Sequence, residues 1–218
     1  MKKLNKLVKH DVVRGLKDIT FEKDKLCSAC QAGKQVGNTH PKKSIMSTCK
    51  PFELMHMDLF GPTTYTSIGG HKYGFLVVVD FTRYTWVAFL GDKSDADIFK
   101  LFIKRMQNEY ETTIKKVRND NGSKFKNTRD DELCDELGIK HQFSADYTPQ
   151  SNGLVERKNR TLIDMTRSML NEYNVSHSFW AEAINTACFY SNRLYCHPFL
   201  EKTPYEILNG RKPNISYF

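Results

Sequence analysis

The chain has 218 residues, of which 39% are hydrophobic and 27% charged, with a net charge of +8. That length suits one ordinary domain with a small appendage, and the composition is that of a globular protein. No apolar run approaches the roughly 20 residues of a membrane span, and none follows the basic Met1-Lys-Lys start, so neither a membrane anchor nor a secretory signal is expected.

Residues 1–38 hold two short helix-like stretches and the pair Cys27-Ser-Ala-Cys30; residues 39–50 are rich in Lys, Ser and Thr and read as a linker. From residue 51 the pattern is that of an α/β domain running to residue 218. Phe52–Leu59 is a short apolar-rich run stopped by Gly61-Pro62. Tyr73–Phe81 and Arg83–Leu90 are β-branched and aromatic runs with a short connection, which predicts an antiparallel pair. Ser94–Tyr110 has helical spacing at Ile98, Leu101, Phe102 and Met106, and Thr113–Arg118 reads as a strand before the Asn121-Gly122 turn. Asp130–Leu137 reads as a helix closed by Gly138, and Ile139–Phe143 as a strand. Pro149 opens a long helix to about Tyr173, Ser178–Leu194 forms another, and Thr203–Asn209 a last short one stopped by Gly210. Hairpin strands followed by alternating helix and strand predict a mixed sheet flanked by helices.

The charge is unevenly placed. Residues 1–50 hold twelve Lys/Arg and four Asp/Glu, whereas residues 51–218 hold twenty-one of each. The excess of +8 therefore lies in the first quarter, which reads either as a contact for a phosphate backbone or as a solvated basic arm. Without secretion, the six cysteines read as thiols or metal ligands rather than a disulfide framework.

Three carboxylates stand at element ends: Asp58 on the first strand, Asp120 after the strand ending at Arg118, and Glu156 near the start of the long helix. Two-metal chemistry needs carboxylates converging on a pair of hard cations about 3.5–4 Å apart, and Mg²⁺ takes oxygen ligands. Alone, three acids among twenty-five say little. Their surroundings say more: Leu54-Met-His-Met-Asp58-Leu-Phe-Gly-Pro62, Arg118-Asn-Asp120-Asn-Gly-Ser-Lys-Phe125, and Tyr147-Thr-Pro-Gln-Ser-Asn-Gly-Leu-Val-Glu156-Arg-Lys-Asn-Arg-Thr-Leu162, with thirty-five residues between the last two acids.

At these residues the chain closely resembles the integrase of copia-type long-terminal-repeat retrotransposons and, more widely, the retroviral integrase core. The resemblance continues through Val77–Trp86, Phe179–Ala187 and Thr203–Pro213. It implies a ribonuclease-H-like fold with a five-stranded mixed sheet. It implies an Asp58, Asp120 and Glu156 triad holding Mg²⁺ or Mn²⁺ for 3′-end processing and strand transfer. It also implies DNA as partner, a homo-oligomer, and a nuclear or cytoplasmic-particle setting. Two alternatives stay open: a non-catalytic, nucleic-acid-binding relic of a truncated polyprotein, and a nuclease of the same fold that cuts without joining.

Beside the triad, Arg157, Lys158 and Arg160 are candidate DNA contacts; Glu156 and Arg160, four apart, read equally as a helical ion pair. Asp80 ends a strand-like run but matches no triad position, and is expected to orient Arg83 or nearby backbone. Lys124 stands where copia-type elements usually carry Glu. Cys27 and Cys30 form half a zinc site; the resembled family completes it with two histidines upstream, which are missing here, so the segment reads as a truncated pre-integrase module short of ligands. His56, His71 and His141 show no ligand spacing and read as structural or surface residues.

Overall fold

The computed structural model describes residues 8–10, 12–14, 47–92, 97–119, 128–143 and 153–216. The elements run β1 (Met55–Phe60), β2 (Tyr73–Val79), β3 (Thr85–Leu90), α1 (Asp97–Tyr110), β4 (Lys116–Asn119), α2 (Thr128–Glu136), β5 (Lys140–Phe143), α3 (Gly153–Glu172), α4 (Trp180–Leu194) and α5 (Pro204–Asn209), with a 3-10 turn at His177–Phe179. The strands and helices expected after residue 51 are present among the described residues, with bounds moved by a few residues; the helix-like stretches of residues 1–38 lie mostly, and the Asn121-Gly122 turn and the Pro149 helix start wholly, outside the described residues. β1 begins later than expected because Phe52 sits in a left-handed turn (φ 61°) and is not extended.

The five strands form one sheet in the order β3-β2-β1-β4-β5. β2 pairs antiparallel with both β1 and β3, as the short connection requires, while β4 lies parallel to β1 and to β5. The alternation of side chains along a strand then divides the core. Met55, Met57 and Leu59 of β1, with Phe75, Val77 and Val79 of β2, pack against Phe99, Ile103 and Met106 of α1 and Leu133 of α2. On the other face Leu76 and Val78 pack against Val155 and Leu162 of α3 and Ala187 and Cys188 of α4. β2 is apolar throughout because it is buried on both faces. Gly74 is required at its start: a Cβ there would lie 2.1 Å from the Phe60 ring.

Edge strand β3 is held from the side by α4. Asn192 accepts from the Thr85 amide (2.9 Å) and donates to the Thr85 carbonyl (2.7 Å), so one buried side-chain amide supplies what a neighbouring strand would. α5 is capped by the Thr203 hydroxyl, which accepts from the Glu206 amide, and ends at Gly210 in the left-handed region (φ 69°).

Two stretches before residue 51 pack on the domain. Val12 and Val13 are buried beside Ile215, and Ser47 and Thr48 donate to Asp80. No described helix is long and apolar enough to cross a membrane.

Candidate active site

β1 sends His56 and Asp58 to the face covered by α3, since Met55, Met57 and Leu59 take the opposite face. Asp58 lies within β1, two residues before its end, and is half-buried. Asn159 of α3 donates to its Oδ2 at 3.0 Å. Among the described residues no cation pairs with Asp58. Along α3, Val155, Leu162 and Thr166 are buried. Asn159 is four residues after Val155 and three before Leu162, so it lies on the stripe that meets the sheet. Glu156, one helical turn before Asn159, is exposed in the first turn of α3. The helix that carries Glu156 therefore packs on the face of the sheet that Asp58 shares, and its Asn159 touches Asp58.

Asp120 lies outside the described residues, as do Lys124, Cys27 and Cys30. Asn119, the residue before Asp120, is described. β4 runs parallel to β1 with His56 opposite Arg118, so the chain leaves β4 at the end of the sheet where Asp58 sits. Among the described residues no cluster of three His, Cys, Asp or Glu side chains is arranged to hold a metal. Asp58 and Glu156 are carboxylates with no apolar seal over them, an oxygen donor set of the kind a hard divalent ion takes.

The candidate DNA contacts divide. Arg157 and Arg160 are exposed. Lys158 is turned into the fold: its ammonium donates to Ser191 Oγ at 2.6 Å and lies 5.9 Å from the Tyr195 ring centroid. Three residues after Val155, it points toward α4 and not outward.

A network at the end of β4 was not read from the sequence. Asn119 is fully buried. His141 of β5 donates from Nδ1 to Asp131 Oδ1 of α2 at 2.5 Å, and its Nε2 meets Asn119 Oδ1 at 2.6 Å. Residues 119, 131 and 141 have no spacing that would have marked them as one unit.

Asp80 is the most heavily engaged carboxylate. Its side chain is 5% exposed. It accepts from Ser47 (2.6 Å), Thr48 (2.8 Å), His56 Nε2 (3.3 Å) and Arg83 Nη1 (3.0 Å). Burial alone would raise this carboxyl; the hydrogen bonds from His56, Ser47 and Thr48 and the Arg83 charge outweigh it and hold it well below the usual carboxylate range. The expectation that Asp80 orients Arg83 agrees with this geometry. Nearby, burial and then the Arg83 guanidinium push the His197 ring down to about 4. Its Nδ1 accepts from the Phe199 and Leu200 amides, each at 3.3 Å.

Comparison with known proteins places these features. Residues 49–149 match the family described as "Integrase core domain". The chain is 32% identical over 194 residues to the Retrovirus-related Pol polyprotein from transposon TNT 1-94 of Nicotiana tabacum, covering 88% of this chain and 14% of that polyprotein. It is 33% identical over 189 residues to the polyprotein from transposon RE2 of Arabidopsis thaliana, covering 86% of this chain and 13% of that one. Against the Ty1-DR4 Gag-Pol polyprotein of Saccharomyces cerevisiae it is 25% identical over 177 residues, covering 78% and 11%. The chain thus spans about one seventh or less of the length of these relatives. Among solved structures it is similar to a chain of the simian T-cell lymphotropic virus intasome in complex with PP2A regulatory subunit B56 gamma (TM-score 0.60, 20% identity, 83% of this chain and 62% of that one). It is also similar to the HTLV-2 integrase catalytic core domain in complex with magnesium (TM-score 0.53, 21% identity, 72% and 97%). These structural likenesses establish the fold, which is ribonuclease-H-like.

Proposed function

As the chain belongs to the integrase core family of retrotransposon polyproteins, we propose that it is a metal-dependent polynucleotidyl transferase core acting on DNA, with Asp58, Asp120 and Glu156 as its ligands. One observation supports this reading: α3, which carries Glu156 in its first turn, packs on the face of the sheet that Asp58 shares, and its Asn159 donates to Asp58. Asp58, Asp120 and Glu156 would hold Mg²⁺ or Mn²⁺, whose chemistry there would be activation of the attacking hydroxyl and charge neutralisation at the phosphate. The chain's own residues do the rest. Asn159 fixes one oxygen of Asp58 and leaves the other to bind. The first turn of α3 presents Glu156 to solvent, with Arg157 and Arg160 exposed beside it for the DNA backbone. The network of Asn119, His141 and Asp131 ties down the strand end before Asp120. The magnesium complex of the HTLV-2 integrase catalytic core domain supports divalent metal use, and assembly into an oligomer on DNA is part of the same proposal.

The test is incubation of labelled element-end DNA with the chain and Mn²⁺. Joined product supports strand transfer; cleaved but unjoined product supports a nuclease; binding alone supports a relic. Asp120→Asn is expected to abolish product, and an undiminished reaction would refute the triad.

A further inference from the structure

Of the eight large apolar side chains that stand exposed among the described residues, five gather where the β1–β2 loop meets the α3–α4 connection: Tyr65, Ile68, Tyr173, Val175 and Phe179. The two stretches are tied to each other. The Ile68 amide donates to the Ser178 carbonyl (3.1 Å), and the Tyr65 ring stacks on the His177 ring with centroids 4.9 Å apart and planes 19° apart. Each stretch is also held by its own bonds. In the loop the Thr63 amide donates to the Lys72 carbonyl and the Ser67 amide to the His71 carbonyl, while the His71 amide donates to Ser67 Oγ. In the connection Asn174 takes the left-handed region (φ 47°). The Val175 amide donates to the Leu170 carbonyl (2.9 Å), and Ser176 caps the 3-10 turn by accepting from the Ser178 amide. The backbone beneath these side chains is thus fixed, so a contact made there costs little ordering.

Exposed apolar clusters of this kind mark contact surfaces. The chemistry of this one points to a second copy of the chain. Residues 64–71 and 173–179 contain no Lys, Arg, Asp or Glu. A patch of one charge would repel its own copy, whereas an uncharged aromatic patch is self-complementary, and a two-fold contact sets the same patch on both sides. The charges that flank it in sequence, Lys72, Glu172 and Glu182, carry both signs. Tyr65, Tyr173 and Phe179 are 53%, 76% and 41% exposed, which at roughly 150–250 Å² for a whole aromatic side chain offers about 250–430 Å². Ile68, Val175 and the polar rim add to this, against about 800 Å² per partner in a standard interface. The area fits a weak, reversible pairing. We propose that this patch is a self-association surface through which two copies of the chain pair about a two-fold axis. The inference rests on the oligomeric assembly proposed above and assigns it a surface. At a helical rise of about 1.5 Å per residue, Tyr173 lies about 25 Å along α3 from Glu156, so pairing here keeps the partner away from the acidic site.

The test is sedimentation equilibrium of the full 218-residue chain in the absence of DNA, across a concentration series. The wild type is expected to show a reversible monomer–dimer equilibrium. Y173S/F179S is expected to raise the dimer Kd at least about tenfold, as loss of aromatic anchors does, with an unchanged melting temperature because both side chains are exposed. L101S, at an exposed apolar position on α1, is expected to leave the Kd as it was. Should Y173S/F179S fail to fold, I68S serves in its place, with a rise in Kd of several-fold. A wild type that stays monomeric, whether or not a different protein binds the patch, overturns the proposal. So does an unchanged Kd in the folded patch variants, or an equal rise from L101S. Self-association that is lost in Y173S/F179S, in a chain with no strand-joining activity, keeps the surface and removes only the catalytic reading.

Discussion

Replacing Asp80 with Ala removes an acceptor from four donors at once. Charge-assisted hydrogen bonds contribute roughly 1.5–3 kcal/mol each. Four of them would sum to about the whole stability of a domain, roughly 5–15 kcal/mol, so the geometry must decide how much is lost. Ser47 is exposed and Arg83 is 21% exposed; both can turn to water and keep most of their solvation. Thr48 and His56 are buried at 8% and 3% and cannot. The loss then reduces to two stranded buried donors, which at about 1–3 kcal/mol each come to about 3–5 kcal/mol together. The sign with pH follows from the depressed carboxyl. Its contribution is fully present above the unfolded value of about 3.9 and is lost as pH falls below it. Urea unfolding with linear extrapolation at pH 7 and near pH 3 measures both effects. Asp80→Ala should be about 3–5 kcal/mol less stable at pH 7 and should lose less than wild type on acidification. A difference under about 1 kcal/mol at pH 7, with folding still two-state, would refute the reasoning, since surface changes fall within about 0.5 kcal/mol.

Three further outcomes are expected. His197, pushed down to about 4, contributes stability that is present above the unfolded value of about 6.5 and lost as pH falls toward 4. Wild type should therefore lose about 3 kcal/mol over that window, and His197→Asn should flatten the curve in a pH series of thermal melts. His141→Ala strands the buried Asn119 Oδ1, costing about 1–3 kcal/mol. It should also slow strand cleavage about tenfold, equivalent to about 1.4 kcal/mol of barrier, with DNA affinity held; His141→Gln should recover part of the rate, and equal losses in rate and affinity would contradict a positioning role. Gly74→Ala places a methyl against Phe60 and should cost about 1–3 kcal/mol by overpacking, read as a lowered urea midpoint.

The strands were legible because burial on two faces leaves β2 with no polar position from Phe75 to Val79, and because the β2–β3 connection is too short for anything but antiparallel pairing. α5 was legible from Thr203, Pro204 and Gly210, residues that act through local backbone geometry. Asp58 and Glu156 were legible as one candidate set only through the blocks around them, since no spacing rule joins a strand to a helix so much later in the chain. Asn159, which donates to Asp58, carried no signal; its position on the buried stripe of α3 becomes clear once Val155 and Leu162 are known to face the sheet. Lys158 was misplaced for the same reason: charge suggested DNA, but helical phase directs it to Ser191. The Asn119, His141 and Asp131 network and the patch of Tyr65, Ile68 and Phe179 join residues from separate elements, and only the tertiary fold defines them.

Asp58 and Asp80 show why acidity alone does not mark a catalytic carboxylate. Both serve the same face of the sheet: His56, two residues before Asp58 on β1, is the donor held by Asp80. Asp80 is saturated by donors and a guanidinium, so no coordination site is left and its charge is spent on stability. Asp58 receives one amide bond and pairs with no described cation, so its charge contributes little to the fold; the proposal above assigns that charge to a metal. Opposite responses to the same chemical change follow. Asp58→Asn keeps an acceptor for Asn159 and removes a charge that nothing in the described fold neutralises. Its stability should stay within about 0.5 kcal/mol of wild type, while Mn²⁺-dependent cleavage is lost. Asp80→Asn should lose stability by more than that and retain cleavage at a temperature where it is folded. Calorimetry paired with the strand-cleavage assay distinguishes the two, and a stable, inactive Asp80→Asn or an unstable Asp58→Asn would reverse the assignment.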